Sequence, residues 1–185
     1  MSSDSAERYR KVAAGFTLRA EAVPDVRWSR PAPCDGWLAA DVVRHLVEWV
    51  PPFLDVGTGI TLHPGPSVEA DPVGAWSAMS DQVQALLDAP DRSRTVFDHP
   101  AVGRHRLDDA VTEFVLPDVL IHTWDLARAT GLDETLDADE VQRMFLRVQD
   151  LDDVLRASGQ FGPKVTAPDG ADEQTRLLAF LGRHP

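Results

Sequence analysis

Apolar residues recur along the chain with helical spacing, in stretches that proline and glycine separate. Tyr9, Val12, Ala13, Phe16 and Ala20 share one face of a helix predicted over 5–23, opened by Asp4 with Glu7 in capping-box spacing and ended by Pro24. A turn-rich stretch from Trp28 to Trp37 leads into a second helix over 38–50. There Val42, His45, Leu46 and Trp49 form an i, i+3, i+4, i+7 stripe, and Pro51-Pro52 should stop it. The loop beyond, through Gly57, Gly59, Pro64, Gly65 and Pro66, is placed to cover a site. Asp71 and Pro72 make an N-cap and first-turn pair for a third helix to about Leu87. Thr95-Val96-Phe97 reads as a short extended element around the turn at 100–103. A fourth helix follows over 107–130, closed by Gly131, and Pro117 within it predicts a kink before Asp118. Asp137 and Glu140 open a fifth through about Ala157, and 171–181 form a last short one.

The pattern predicts an all-α fold over 1–185 as a single domain, its four longer helices forming a bundle core. A chain of 185 residues buries roughly 70% of the surface its unfolded form exposes, so no disulfide is required. Acidic residues outnumber basic ones by 30 to 18, and a formal charge of −12 argues against nucleic acid and anionic lipid as partners. The cluster Arg92, Arg94, Arg104, His105 and Arg106 reads as a solvated loop. Cys34 is the single cysteine, the start Met1-Ser2-Ser3-Asp4 is polar, and no segment approaches a membrane span; together these point to the cytoplasm.

Chemistry concentrates where Asp118 and His122 sit at i and i+4 of the fourth helix, close enough for both to reach one ion. Val111, Phe114, Val115 and Ile121 surround them, and a carboxylate buried without a partner costs several kcal/mol. Packed beside this helix, the second would add His45, giving three ligands and an open fourth position, the arrangement of catalytic zinc. The plainer reading is a hydrogen-bonded core histidine and a local Asp–His pair. Asp125 could orient a ligand imidazole or accept from Arg128, the plainer reading being a surface or interhelical ion pair, and Arg44 could hold an anionic thiol or substrate carboxylate, the plainer reading being solvent exposure. Trp49 and Trp124 could line a pocket, the plainer reading being core, and Cys34 sits in a turn with no local base. His63, His99, His105 and His184 are outlying candidates for a fourth ligand or general base.

Pro31-Ala32-Pro33-Cys34-Asp35-Gly36-Trp37, Val43-Arg44-His45-Leu46-Val47, the run from Asp118 to Ala127 and the ending from Leu177 to Pro185 stand in an order and spacing of their own. In these four pieces the chain resembles the actinobacterial branch of the DinB-like metal-binding superfamily, which includes the metal-binding domain of mycothiol-dependent maleylpyruvate isomerase. The resemblance implies a DinB-like four-helix bundle with an additional short helix. Its metal would be held by a histidine of the second helix and an acid-x-x-x-His pair of the fourth, here His45, Asp118 and His122. The isomerase has Glu where this chain has Asp118, which leaves the metal's identity open. By resemblance the cofactor is a divalent metal, zinc first, with mycothiol as thiol cosubstrate. The function would be a thiol S-transferase or isomerase acting on a small electrophile. The chain is too short for the isomerase's additional C-terminal domain, so maleylpyruvate isomerisation itself is not expected. The alternative is a non-catalytic metal-binding or regulatory bundle with a structural ion. Expected partners are a small electrophile and a low-molecular-weight thiol, with room for a homodimer. Arg44 is the cofactor-binding candidate, and no catalytic residue is assigned.

Overall fold

Helix α1 (Asp4–Ala22) buries Ala6, Tyr9, Val12, Ala13, Phe16 and Ala20, the face that the spacing predicts. The computed structural model describes residues 4–157 and 162–185. Asp4 is itself helical, and Glu7 pairs with Arg10 at 2.7 Å rather than closing a capping box. Helix α3 (Pro72–Asp88) begins as expected, with Asp71 Oδ1 accepting from the Gly74 N–H at 2.8 Å. Between α1 and α3, the Phe16 and Trp76 rings lie 4.3 Å apart and the Trp76 indole donates to Thr17 Oγ1 at 2.8 Å. The Tyr9 hydroxyl finds Ser80 Oγ at 3.3 Å, so these buried aromatics keep their polar ends satisfied.

Helix α2 (Ala39–Thr58) runs through Pro51 and Pro52, which the sequence reading had as its stop. Each proline removes one backbone hydrogen bond, yet the turns beyond bury Leu54 and Gly57 and set Phe53 against the Phe97 ring at 4.9 Å. That packing outweighs the missing bonds. Gly59, at φ 72°, ends the helix with its N–H on Asp55 O.

After a short helix α4 (Pro90–Ser93), strands β1 (Val96–His99) and β2 (Gly103–Arg106) pair antiparallel, with Val96 opposite Arg106 and His99 opposite Gly103. The fold is therefore mostly helical, with one small two-stranded sheet where the sequence predicts a short extended element. Phe97 on β1 is fully buried against α2, where a Cβ at Gly57 would stand 2.1 Å from its ring. Close approach of strand to helix requires glycine there.

The predicted fourth helix is continuous but changes register. Helix α5 (Leu107–Ala110) passes into a π-helical turn (Val111–Val115) and then into α6 (Leu116–Thr130), which Gly131 closes at φ 67°. Helices α1 and α2 each pack on both α3 and α6, so each of these four meets two of the others. The predicted fifth helix divides into α7 (Ala138–Val148), a 3₁₀ turn (Gln149–Leu151) and α8 (Asp152–Ala157). Asp137 Oδ1 caps the Glu140 N–H at 3.0 Å, but the Glu140 side chain takes the Arg8 fork at 2.7 Å on each oxygen. A buried carboxylate gains more from a bidentate guanidinium than from a backbone N–H. Helix α9 (Glu173–Phe180) packs on α7. No helix among the described residues is long and apolar enough to cross a membrane.

Candidate metal centre

The π turn precedes the site's principal helix. Pro117 cannot donate to the Glu113 carbonyl, which accepts instead from Arg147 Nη1 at 2.8 Å, while the Leu116 N–H reaches back five residues to Val111 O. At the place of the expected kink the hydrogen-bond register changes. Beyond it Asp118 and His122 lie one turn apart, on the side of α6 that meets His45 of α2.

His45 Nε2 lies 3.0 Å from Asp118 Oδ2, and His122 Nε2 lies 3.4 Å from Asp118 Oδ1. The two imidazoles meet edge to face with centroids 4.8 Å apart. One ligand atom from each of His45, Asp118 and His122 falls within 4.8 Å of the others. Ligands at 2.0–2.2 Å around a tetrahedral ion stand about 3.3–3.6 Å from one another, so the two separations from Asp118 are near those around a small divalent cation. Trp49 Nε1 donates to Asp118 Oδ2 at 2.8 Å, holding the carboxylate from the same face of α2 that carries His45. The reading of Trp49 as simple core missed this bond, although its indole N–H sits one turn from His45. Trp124 is core, as expected, with Arg128 over its ring.

A turn from α1 to α2 covers the imidazoles. The Trp37 N–H donates to Cys34 O at 3.0 Å, and Gly36 between them has φ 75°, the left-handed position such a turn requires. Trp37 stacks on His122 at 5.6 Å and lies 5.1 Å from His45. The loop after α2, expected over the site, runs instead along the neighbouring face of that helix. There Glu69 pairs with Arg44 at 2.7 Å, and Leu62, Val68 and Met79 help line a cavity of about 310 Å³. Arg44 also pairs with Asp41, so two carboxylates already offset its charge.

Behind His122 lies a second layer. Asp125 is fully buried; its Oδ2 accepts from His122 Nδ1 at 2.9 Å, from Arg183 Nη2 at 2.9 Å and from Cys34 Sγ at 3.5 Å, and its Oδ1 from Arg183 Nε at 3.3 Å. Asp125 thus hydrogen-bonds the His122 imidazole and joins an ion pair, but a buried one and with Arg183 rather than Arg128. Arg128 goes to Glu134. Arg183 itself went unread; the signal was Gly182 following the apolar run Leu177 to Leu181. Cys34, His122 and Asp125 form a second set of clustered donors, but the Arg183 guanidinium already occupies both Asp125 oxygens. The outlying histidines are not in either donor set: His63 is beside Gln82, and His99 and His105 are in the sheet.

The electrostatics follow from these contacts. Burial pushes the Asp118 carboxyl up, but His122 and His45 outweigh it and hold the group well below the ordinary carboxylate range. Burial likewise works against the His122 charge, and Asp118 and Asp125 overcome it, raising the imidazole well above its usual value. Asp125 is pulled down to about 2 despite its burial, chiefly by His122 and Arg183. The Asp118 side chain keeps 29% exposure, so a path from solvent to the donors remains.

Two uncharacterized proteins of Mycobacterium tuberculosis, MT0763 of strain CDC 1551 / Oshkosh and Rv0738 of strain H37Rv, are each 28% identical to the chain over 159 residues. The match covers 83% of this chain and 83% of theirs. No model of a known protein family matches the sequence.

Proposed function

We propose that the chain is a DinB-like four-helix bundle in which His45, Asp118 and His122 hold a divalent ion, zinc first. In this reading it serves as a mycothiol-dependent S-transferase or isomerase acting on a small electrophile. The observation that carries the reading is the convergence of three donors from two helices at separations of 3.0 and 3.4 Å. The mutual packing of α1, α2, α3 and α6 supports the bundle. A bound divalent cation would lower the pKa of an external thiol and keep its sulfur nucleophilic near neutral pH. The protein's own part is positional. Asp125 ties His122 Nδ1 and leaves Nε2 for the ion, Trp49 fixes one Asp118 oxygen, and Trp37 packs against both imidazoles. Arg44 would hold an anionic group only by exchanging Asp41 or Glu69 for it.

A second reading is a structural ion without catalysis, held by the same three donors, which the Trp37 ring packs against and the Trp49 indole hydrogen-bonds. The test is metal analysis of tag-free protein followed by mycothiol-consumption assays against a panel of electrophiles. The expected result is one equivalent of zinc and a rate that falls on metal removal and returns with zinc. Stoichiometric zinc with no thiol consumption would favour the structural ion, and protein that takes up no metal would end both readings.

A further inference from the structure

The C-terminal tail reaches the site through a built turn. Gly182, at φ 87°, donates to Ala179 O at 3.0 Å, and the Arg183 N–H donates to Leu178 O at 2.9 Å. These two bonds are the Schellman closure of a helix, and they send residue 183 back across the end of α9. Its guanidinium, 13% exposed, meets Asp125 with a separate nitrogen on each oxygen, 2.9 Å to Oδ2 and 3.3 Å to Oδ1. A fork of this kind fixes the plane of a carboxylate, which a point charge does not. With that plane set, Oδ2 faces His122 Nδ1 at 2.9 Å and the opposite nitrogen, Nε2, faces Asp118.

From this chain of contacts we infer that Arg183 is the positioning residue of the metal centre, acting through Asp125 to hold the His122 ring with Nε2 presented beside Asp118 and His45. The inference rests on the proposed metal site. Arg183 touches none of the three donor residues in that site; its charge also balances a carboxylate that is otherwise buried beside an imidazole that must be neutral to ligate. Metal affinity is thereby set from the far end of the sequence, by two residues of a turn that carry no ligand.

The test compares zinc affinity, by competition with a chromophoric chelator, in wild type, Arg183→Met, Arg183→Lys and Arg8→Met. The last breaks another arginine fork on a buried carboxylate, the one on Glu140, away from the donor cluster. Arg183→Met should weaken zinc binding about 10–100-fold, the range for loss of a group that orients a ligand, and Arg183→Lys should fall between it and wild type. Arg8→Met should lower stability and leave zinc affinity alone. Imidazole ¹⁵N spectra of the zinc-loaded proteins give the readout that stability does not move: His122 keeps a protonated Nδ1 in wild type and loses that single form in Arg183→Met. Should Arg183→Met fail to fold, Arg183→Lys and Asp125→Asn carry the same comparison. Unchanged affinity in the Arg183 variants, an equal loss in Arg8→Met, or an unaltered His122 spectrum would each overturn the inference while leaving the metal site intact. Wild-type protein that binds no zinc would overturn both.

Discussion

Both nitrogens of His122 are committed, Nδ1 to Asp125 and Nε2 toward Asp118, so this one ring joins the donor cluster to the layer behind it. In the metal-free protein the ring is held protonated well above its ordinary pKa, and a ligand must be neutral. Zinc uptake near neutral pH should therefore release a proton, and affinity should weaken as pH falls. Titration calorimetry in buffers of differing ionisation enthalpy measures both; uptake without proton release would mean that His122 is no ligand. His122→Ala should lose more affinity than the roughly 100-fold upper range for orienting groups, because it removes a ligand outright. Asp118→Asn removes the ligand charge and should also weaken zinc binding. Cys34→Ser should leave turnover with added mycothiol nearly unchanged, since the attacking sulfur is external. Activity lost in Cys34→Ser but kept in metal-free protein would make Cys34 the nucleophile.

Helix α2 sets two local rules against tertiary packing, and packing decides both. Gly57→Ala should gain about 1 kcal/mol of helix propensity. Its Cβ would meet the buried Phe97 ring at 2.1 Å, and overpacking of that kind typically costs about 1–3 kcal/mol, so urea denaturation should show a net loss. Pro52 is exposed, and Pro52→Ala restores the N–H that Glu48 O lacks. It should stabilise the protein, by up to about 3 kcal/mol; a loss would show that the ring packing of Pro52 matters more than the bond. The same helix shows what was legible in the sequence. The stripe Val42, His45, Leu46, Trp49 put His45 and Trp49 on the face that meets Asp118, because helical periodicity is local information. The end of the helix was misplaced because Phe53 and Gly57 pack on Phe97 of β1, about 40 residues further along, and no local signal reports that contact. Asp118 and His122 were legible for the same local reason, whereas Arg183 was not, because its partner Asp125 lies 58 residues away. The π turn also escaped, since proline predicts a disturbance without saying which hydrogen-bond register absorbs it.

At the scale of the whole molecule, the buried faces of α1, α2, α3 and α6 form one core with the sheet, and the donor cluster lies between α2 and α6 rather than at its centre. This predicts how stability depends on pH and on metal. In the metal-free protein the raised His122 pKa contributes stability that is full below its ordinary value near 6.5 and fades as pH climbs through the raised one. The depressed Asp118 and Asp125 values contribute above the ordinary carboxylate range near 3.9 and fade as pH falls, for Asp125 toward about 2. Metal-free protein should therefore be most stable between these limits and lose ground toward both acid and alkali. Removing the ion with a chelator should leave the far-ultraviolet circular dichroism intact, because apolar burial across the core does not depend on three ligands at one helix pair. Zinc present at 100 times its Kd adds about 2.7 kcal/mol, which in a domain of this size raises Tm by roughly 5–10 °C. A cooperative melt shifted by that amount is the expected result. A chain that loses its helical signal when the metal is withdrawn would make the ion part of the fold, and His45, Asp118 and His122 would then serve structure before chemistry.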